Sequence, residues 1–111
     1  MKIDEFISKY DIAIFVMADL VNKKFDIRKM DIELESYDLF EQLILFSNTE
    51  RLLEFISGQQ LPRIWSQGNI KCIMSQPNDE QIIVLFYESC LNASNHYFYA
   101  KRLDIQLKEM F

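Results

Sequence analysis

The sequence predicts an α+β domain in the order αββαβββα: a five-stranded, mostly antiparallel sheet with a long central helix on one face and the terminal helices on the other. Three observations carry this. The runs IAIFVMA (Ile12–Ala18) and IIVLFY (Ile82–Tyr87) are apolar without alternation, as strands covered on both faces must be. The segments between neighbouring strands are too short to hold crossover helices, so those strands pair antiparallel. Three further segments repeat apolar residues at helical spacing and must cover the sheet.

The first helix is short. Ile3, Phe6, Ile7 and Tyr10 share one face, and Asp4 and Glu5 suit its first turn. At about two turns it needs tertiary packing to exist. Ile12–Ala18 follows as a central strand. Asp19–Lys24 turns the chain without any glycine, so a tight primed turn is not indicated. In the next strand Phe25 and Ile27 alternate, as do Met30, Ile32 and Leu34, but the two sets are out of phase. One extra residue near Arg28–Lys29, a β-bulge, would restore the phase. Many charges and a bulge suit an edge strand.

Ser36 is a suitable N-cap for a helix over residues 37–57, with Gly58 as the left-handed residue that ends it. The reading adopted is one long helix. Ser47-Asn48-Thr49-Glu50 has the form of a capping box and is the signal for two helices instead. Apolar residues occupy more than one stripe of this segment, so it should bury a second face. Three strands then follow: Pro62–Gln67, Ile70–Ser75 and Ile82–Tyr87. Gly68-Asn69 and Pro77-Asn78-Asp79 are the turns between them. Ile70, Cys72 and Met74 fall on one face. Asn92 or Ser94 caps a last helix, on which His96, Ala100, Leu103, Leu107 and Met110 share a face. Tyr97, Phe98 and Tyr99 fan around that helix by about 100° per residue, so at least one must be exposed or at an interface.

Residues 1–111 read as a single domain. Half of the chain is apolar, with two prolines and two glycines, enough for a packed core without a flexible linker. The net charge of −5 repels phosphate backbones and makes nucleic acid a poor partner. The basic cluster Lys23, Lys24, Arg28, Lys29 lies beside Asp26 and Asp31 and reads as a solvated strand face. The charged start MKIDEF does not resemble a signal peptide, and no apolar run could span a bilayer. A soluble cytoplasmic protein is expected, with Cys72 and Cys90 as reduced thiols.

The chemistry-bearing residues are sparse. His96 is the only histidine, and no acid–base or nucleophile set gathers around it in sequence, although Cys90 lies six residues away. Half-buried packing is its expected role. No metal-ligand spacing exists. The pairs Asp31/Glu33 and Glu33/Glu35 read as an exposed strand face. With two glycines in the chain, a backbone phosphate cradle has no material. The expectation is a protein without catalytic, cofactor-binding or metal residues.

Element order and spacing resemble the Roadblock family of dynein light chains and small-GTPase regulators. The likeness is best over Leu61–Leu103. There Pro62 opens a strand, Gly68 punctuates a hairpin, Asn78-Asp79 leads into IIVLFY, and Leu91-Asn92-Ala93 enters the last helix. The resemblance implies an adaptor or regulator that forms a homodimer, or a heterodimer with a related subunit, and whose partner can be a Ras-like small GTPase. It implies a dimer interface at the central helix (Leu39, Leu43, Phe46 and Leu53) and at an edge strand (Ile64 and Trp65). The competing expectation, from acidity and size, is a small chaperone or immunity protein that masks one cognate protein.

Overall fold

The structure, a computed structural model, describes residues Met1–Phe111. Helix α1 (Ile3–Lys9) precedes the hairpin β1 (Ile14–Asp19) and β2 (Lys24–Lys29). A helical layer comes next: α2 (Asp38–Phe40), which continues as a π-helical turn over Glu41–Leu45, and α3 (Thr49–Ile56). The meander β3 (Arg63–Gln67), β4 (Ile70–Asn78) and β5 (Gln81–Glu88) follows, and α4 (Ala93–Met110) closes the chain. The strands form one sheet in the order β2-β1-β5-β4-β3, antiparallel throughout.

The two all-apolar runs are the two innermost strands on the hairpin side, β1 and β5. Alternate side chains enter two separate cores. On one face Ile14, Val16, Val84, Phe86, Cys72 and Met74 meet Phe40, Leu43, Ile44, Leu52 and Ile56 of the α2–α3 layer. On the other, Phe15, Ile73, Ile83, Leu85 and Tyr87 meet Phe6 and Ile7 of α1 and Ala100, Leu103 and Leu107 of α4. A strand that serves two cores can have no polar face, which is why these runs do not alternate. Full burial of a side chain such as Ile83 stabilises the fold by roughly 1.5–3 kcal/mol.

The glycine-free turn is built from an aspartate. The Asp19 carboxylate accepts the backbone N–H groups of Val21 (2.9 Å) and Asn22 (3.0 Å) and the Asn22 side-chain amide (2.8 Å). Lys23 then takes the left-handed conformation, φ 57°. These bonds also hold the Asp19 carboxyl below its usual range.

Four expectations are corrected. The segment 37–57 is not one helix. It breaks after Leu45, and Asn48 caps α3 by accepting the Arg51 N–H at 2.9 Å. A polar cap satisfies donors that a continuous helix would spend on carbonyls, so the helix boundary is real, but the cap is Asn48 rather than the Ser47 of the expected box, whose hydroxyl is buried without a hydrogen-bond partner. Ser36 is displaced from the cap position, which Tyr37 occupies, but its hydroxyl still accepts the Asp38 N–H (3.2 Å). The phase fault near Arg28–Lys29 is not a bulge. β2 ends at Lys29, and the chain beyond it swings Leu34 under the α2–α3 layer while Met30 and Ile32 stay exposed. Pro77 lies within β4 rather than in a turn. It sits where the β4–β5 register breaks, between Ser75 and Asn78, a place that tolerates a missing donor.

Other expectations hold. Gly58 follows α3 with φ 69°. Asn92 caps α4 through the Asn95 N–H at 2.9 Å. Of the three successive aromatics, Tyr97 and Phe98 are exposed while Tyr99 packs on the α1–α4 core.

Candidate interaction surface

β3 is an edge strand, and its hydrogen-bond phase decides which backbone groups are free. The Ser89 N–H donates to the Asn69 carbonyl (2.8 Å), and Ile70 lies opposite Glu88. That makes Ile70–Glu88 a non-bonded pair of the β4–β5 ladder, so Ile70 turns its own N–H and C=O toward β3. Gln67, Trp65 and Arg63, opposite Ile70, Cys72 and Met74, are therefore the residues bonded to β4. Ile64 and Ser66 direct their backbone donors and acceptors away from the sheet. The hairpin turn has φ 60° at Gly68 and no positive φ at Asn69, the pattern of a two-residue II′ turn.

Side chains brace this edge on both faces. Trp65 packs edge-on against Phe55 of α3, ring centroids 6.0 Å apart. The Arg63 guanidinium lies over the Trp65 ring at 4.6 Å and donates to the Phe55 carbonyl, one of the groups left free at the end of α3. On the opposite face the Lys71 ammonium donates to the Ser66 hydroxyl (3.3 Å) and the Gly68 carbonyl (3.2 Å). The Gln67 amide reaches Asp38 at the start of α2 (3.4 Å).

The residues expected at a dimer interface are distributed as follows. Ile64 and Trp65 lie on opposite faces of β3, Ile64 against the α1–α4 core and Trp65 against the α2–α3 core. Leu39 is partly buried against that second core, and Leu43 is 6% exposed within it. Phe46 and Leu53 are exposed, at 72% and 40%. Leu53 opens onto a depression of about 510 Å³ bounded by Ile56, Gly58, Leu61 and Gln76. Leu45, 55% exposed beside Phe46, adds apolar surface that helical periodicity did not single out. The π-helical turn shifts the phase there. The bracing roles of Arg63, Phe55 and Lys71 were also missed, because each depends on a partner remote in sequence.

His96 is buried, not half-buried. Its Nε2 lies 2.5 Å from the Tyr87 hydroxyl, and the two rings pack with Tyr99. Burial, then the charge of Lys71, push the imidazole below its ordinary value, and burial raises the Tyr87 phenol. Both groups are thus held neutral, which suits the phenol donating to an unprotonated ring nitrogen. The pair ties the first turn of α4 to β5. A second buried polar contact joins Ser75 of β4 to Asp104 of α4, whose carboxylate also meets Lys108 at 3.1 Å. Cys90 is exposed, whereas Cys72 is buried in the α2–α3 core, where burial raises its thiol well above the ordinary range.

Three of the four residues of the basic cluster are engaged within the chain. Lys23 meets Glu50 (3.1 Å), Arg28 meets Asp4 (3.2 Å), and Lys29 lies over the rings of Tyr37 and Phe40. No three His, Cys, Asp or Glu side chains gather into a group that could hold a metal ion. No helix is long and apolar enough to cross a membrane.

Comparison with family models, curated proteins and solved structures finds no match to this chain.

Proposed function

We propose that this chain is a non-enzymatic adaptor or regulator that binds a protein partner and assembles as a dimer through β3. One observation carries the reading: the β3 edge is left pairable. Ile64 and Ser66 point backbone donors and acceptors outward, and only Arg63 among its five residues is charged. A copy related by a twofold axis at Trp65 would set Ile64 of one chain against Ser66 of the other and form about four backbone hydrogen bonds. Trp65, a residue type that anchors interfaces, sits at the centre of that seam. A Ras-like small GTPase is the partner class that the family resemblance suggests.

Sedimentation at micromolar concentration tests the assembly. The chain should run as a dimer, and Ser66→Pro should run as a monomer with an unchanged circular dichroism spectrum. Proline at this position removes an outward donor and leaves the β3–β4 ladder intact. A wild-type monomer of 13.3 kDa, or a fully dimeric Ser66→Pro, would falsify the assembly. Co-purification from the native cell tests the role: a bound GTPase supports regulation. Capture of one secreted effector or toxin would favour the masking protein, a reading that the net charge of −5 also suits.

A further inference from the structure

Helix α4 buries one face and shows another. His96, Ala100, Leu103 and Leu107 point inward. At about 100° per residue, Phe98 and Ile105 stand on the opposite side and point away from the sheet. They fall one above the other, about 10 Å apart along the axis. An amphipathic helix normally carries polar side chains there. Instead Phe98 is 63% exposed and Ile105 58%. Leu91, just before the helix, is exposed too, as is Tyr97, whose ring meets that of Phe98 at 5.7 Å. Between the two apolar layers stand Lys101 and Arg102. Neither makes an ion pair, whereas Lys108 is held by Asp104 at 3.1 Å. Lys101 lies over the Tyr97 ring (5.4 Å), which orients its charge without cancelling it. Glu109, a turn beyond Ile105, is the one exposed carboxylate of the helix. The stripe is therefore apolar at two levels and cationic between them, on a chain that carries −5 overall.

We propose that this face of α4 docks an acidic amphipathic helix of another protein, its aliphatic stripe on Phe98 and Ile105 and its Glu or Asp side chains on Lys101 and Arg102. Two helices pack along such stripes at about 8–10 Å, side chains of one between side chains of the other, so a convex face suffices. Charge selects the occupant. A second copy related by a twofold axis and matching Phe98 to Ile105 would set Lys101 and Arg102 against their own counterparts, and like charges repel. An anionic membrane is the poorer fit. It is flat, and α1 covers the same face of the sheet, where Glu5 and Asp11 are exposed carboxylates. A single helix laid along α4 meets the two cations without them. The site faces away from the sheet and stands whether or not the chain dimerises through β3.

The test uses a fluorescein-labelled peptide of three repeats of Glu-Glu-Leu-Ala-Ala-Leu-Glu, long enough to form a helix. Two control peptides carry Lys in place of Glu, and Ser in place of Leu. Anisotropy reads affinity, and amide shifts of the ¹⁵N-labelled chain locate the site. Binding should shift Tyr97–Glu109. It should weaken about tenfold in Phe98→Ser and about tenfold in the double variant Lys101→Glu/Arg102→Glu, the loss of one good contact each. It should also weaken at high salt. The Lys peptide should bind the double variant better than the wild type, a reversal that a merely damaged fold cannot produce. Ser66→Pro should bind the acidic peptide like the wild type. Four results would overturn the proposal: no saturable binding up to about 1 mM peptide; shifts confined to another surface; equal binding of either control peptide by the wild type; or no peptide binding alongside Phe98-dependent flotation with phosphatidylserine vesicles, which would assign the face to a membrane. Because the variants alter outward-facing side chains, their fold can be checked by circular dichroism in the same samples.

Discussion

β2 and β3 are the two edges of one sheet, and they are finished differently. β2, KFDIRK, carries four charged residues in six, and its Arg28 is tied to Asp4 of α1. β3, RIWSQ, carries one charge in five, and that charge is turned inward over Trp65 and onto the end of α3. An edge strand exposes a row of unpaired backbone groups, and charge along it is a common way to prevent pairing with another chain. By that physics β2 is blunted and β3 is not. The difference teaches where association would begin, and it does so from backbone phase and charge without any catalytic group.

The largest effect should come from placing the same lesion on both edges. Ser66 of β3 and Ile27 of β2 each turn their backbone N–H outward; at Ile27 this follows from the Met30 N–H donating to the Ala13 carbonyl, which fixes the phase of the β1–β2 ladder. Ser66→Pro should weaken dimerisation by roughly a hundredfold or more, since each copy loses a donor and leaves its partner's acceptor unmet at about 1–3 kcal/mol. Ile27→Pro should leave the dimer unchanged. Sedimentation equilibrium of both variants decides it, and equal effects would erase the distinction between the edges.

Next in size are the aromatics that pack under each edge. Trp65→Ala removes contacts to Phe55 and Arg63 and should cost about 2–3 kcal/mol in urea unfolding, less than a fully buried aromatic. Phe25→Ala, on the partly buried side of β2, should cost about 1 kcal/mol. A Phe25 loss as large as that of Trp65 would show that β2 is held as firmly as β3.

Asn48→Ala probes the helix that covers β3. It removes the acceptor for the Arg51 N–H and should cost about 1 kcal/mol. If α3 positions the β3 edge, amide exchange in Ile64–Gln67 should quicken while that in Phe25–Lys29 does not.

The smallest effect is a pH dependence from the middle of the sheet. The folded His96 titrates below its ordinary value, so the unfolded chain binds the proton more readily. Stability from this group is fully present above about 6.5, the unfolded value, and declines as pH falls through that value toward the folded one. Thermal unfolding of wild type should show this decline between about pH 7 and 5.5. His96→Gln should lack it, and the dimer should be unaffected by either. An identical slope in the variant would assign the decline to other groups.

Much of the fold was legible in local pattern. IAIFVMA and IIVLFY declared the central strands because a chain buried on both faces cannot alternate. Asn92, Gly58 and Gly68 marked their boundaries because caps and left-handed turns are chemistry within a few residues. The alternation through Ile70, Cys72 and Met74 placed those side chains in one core correctly. The single charge of β3 against the four of β2 was also visible in sequence, so the candidate edge could be named before its geometry.

What only the tertiary structure decided was what distant segments do to one another. Whether 37–57 is one helix or two was a contest between apolar periodicity and the Asn48 cap, and it was settled by packing Phe40, Leu43 and Ile44 on one side of the break and Leu52 and Ile56 on the other against a single core. The phase fault after β2 became a strand end because Leu34 is drawn under the α2–α3 layer, which no local rule anticipates. The hydrogen-bond phase that turns Ile64 and Ser66 outward is set by the β4–β5 ladder. Sequence pattern reports the period of each element; contacts between remote elements choose the register, the break and the side on which each free group is left.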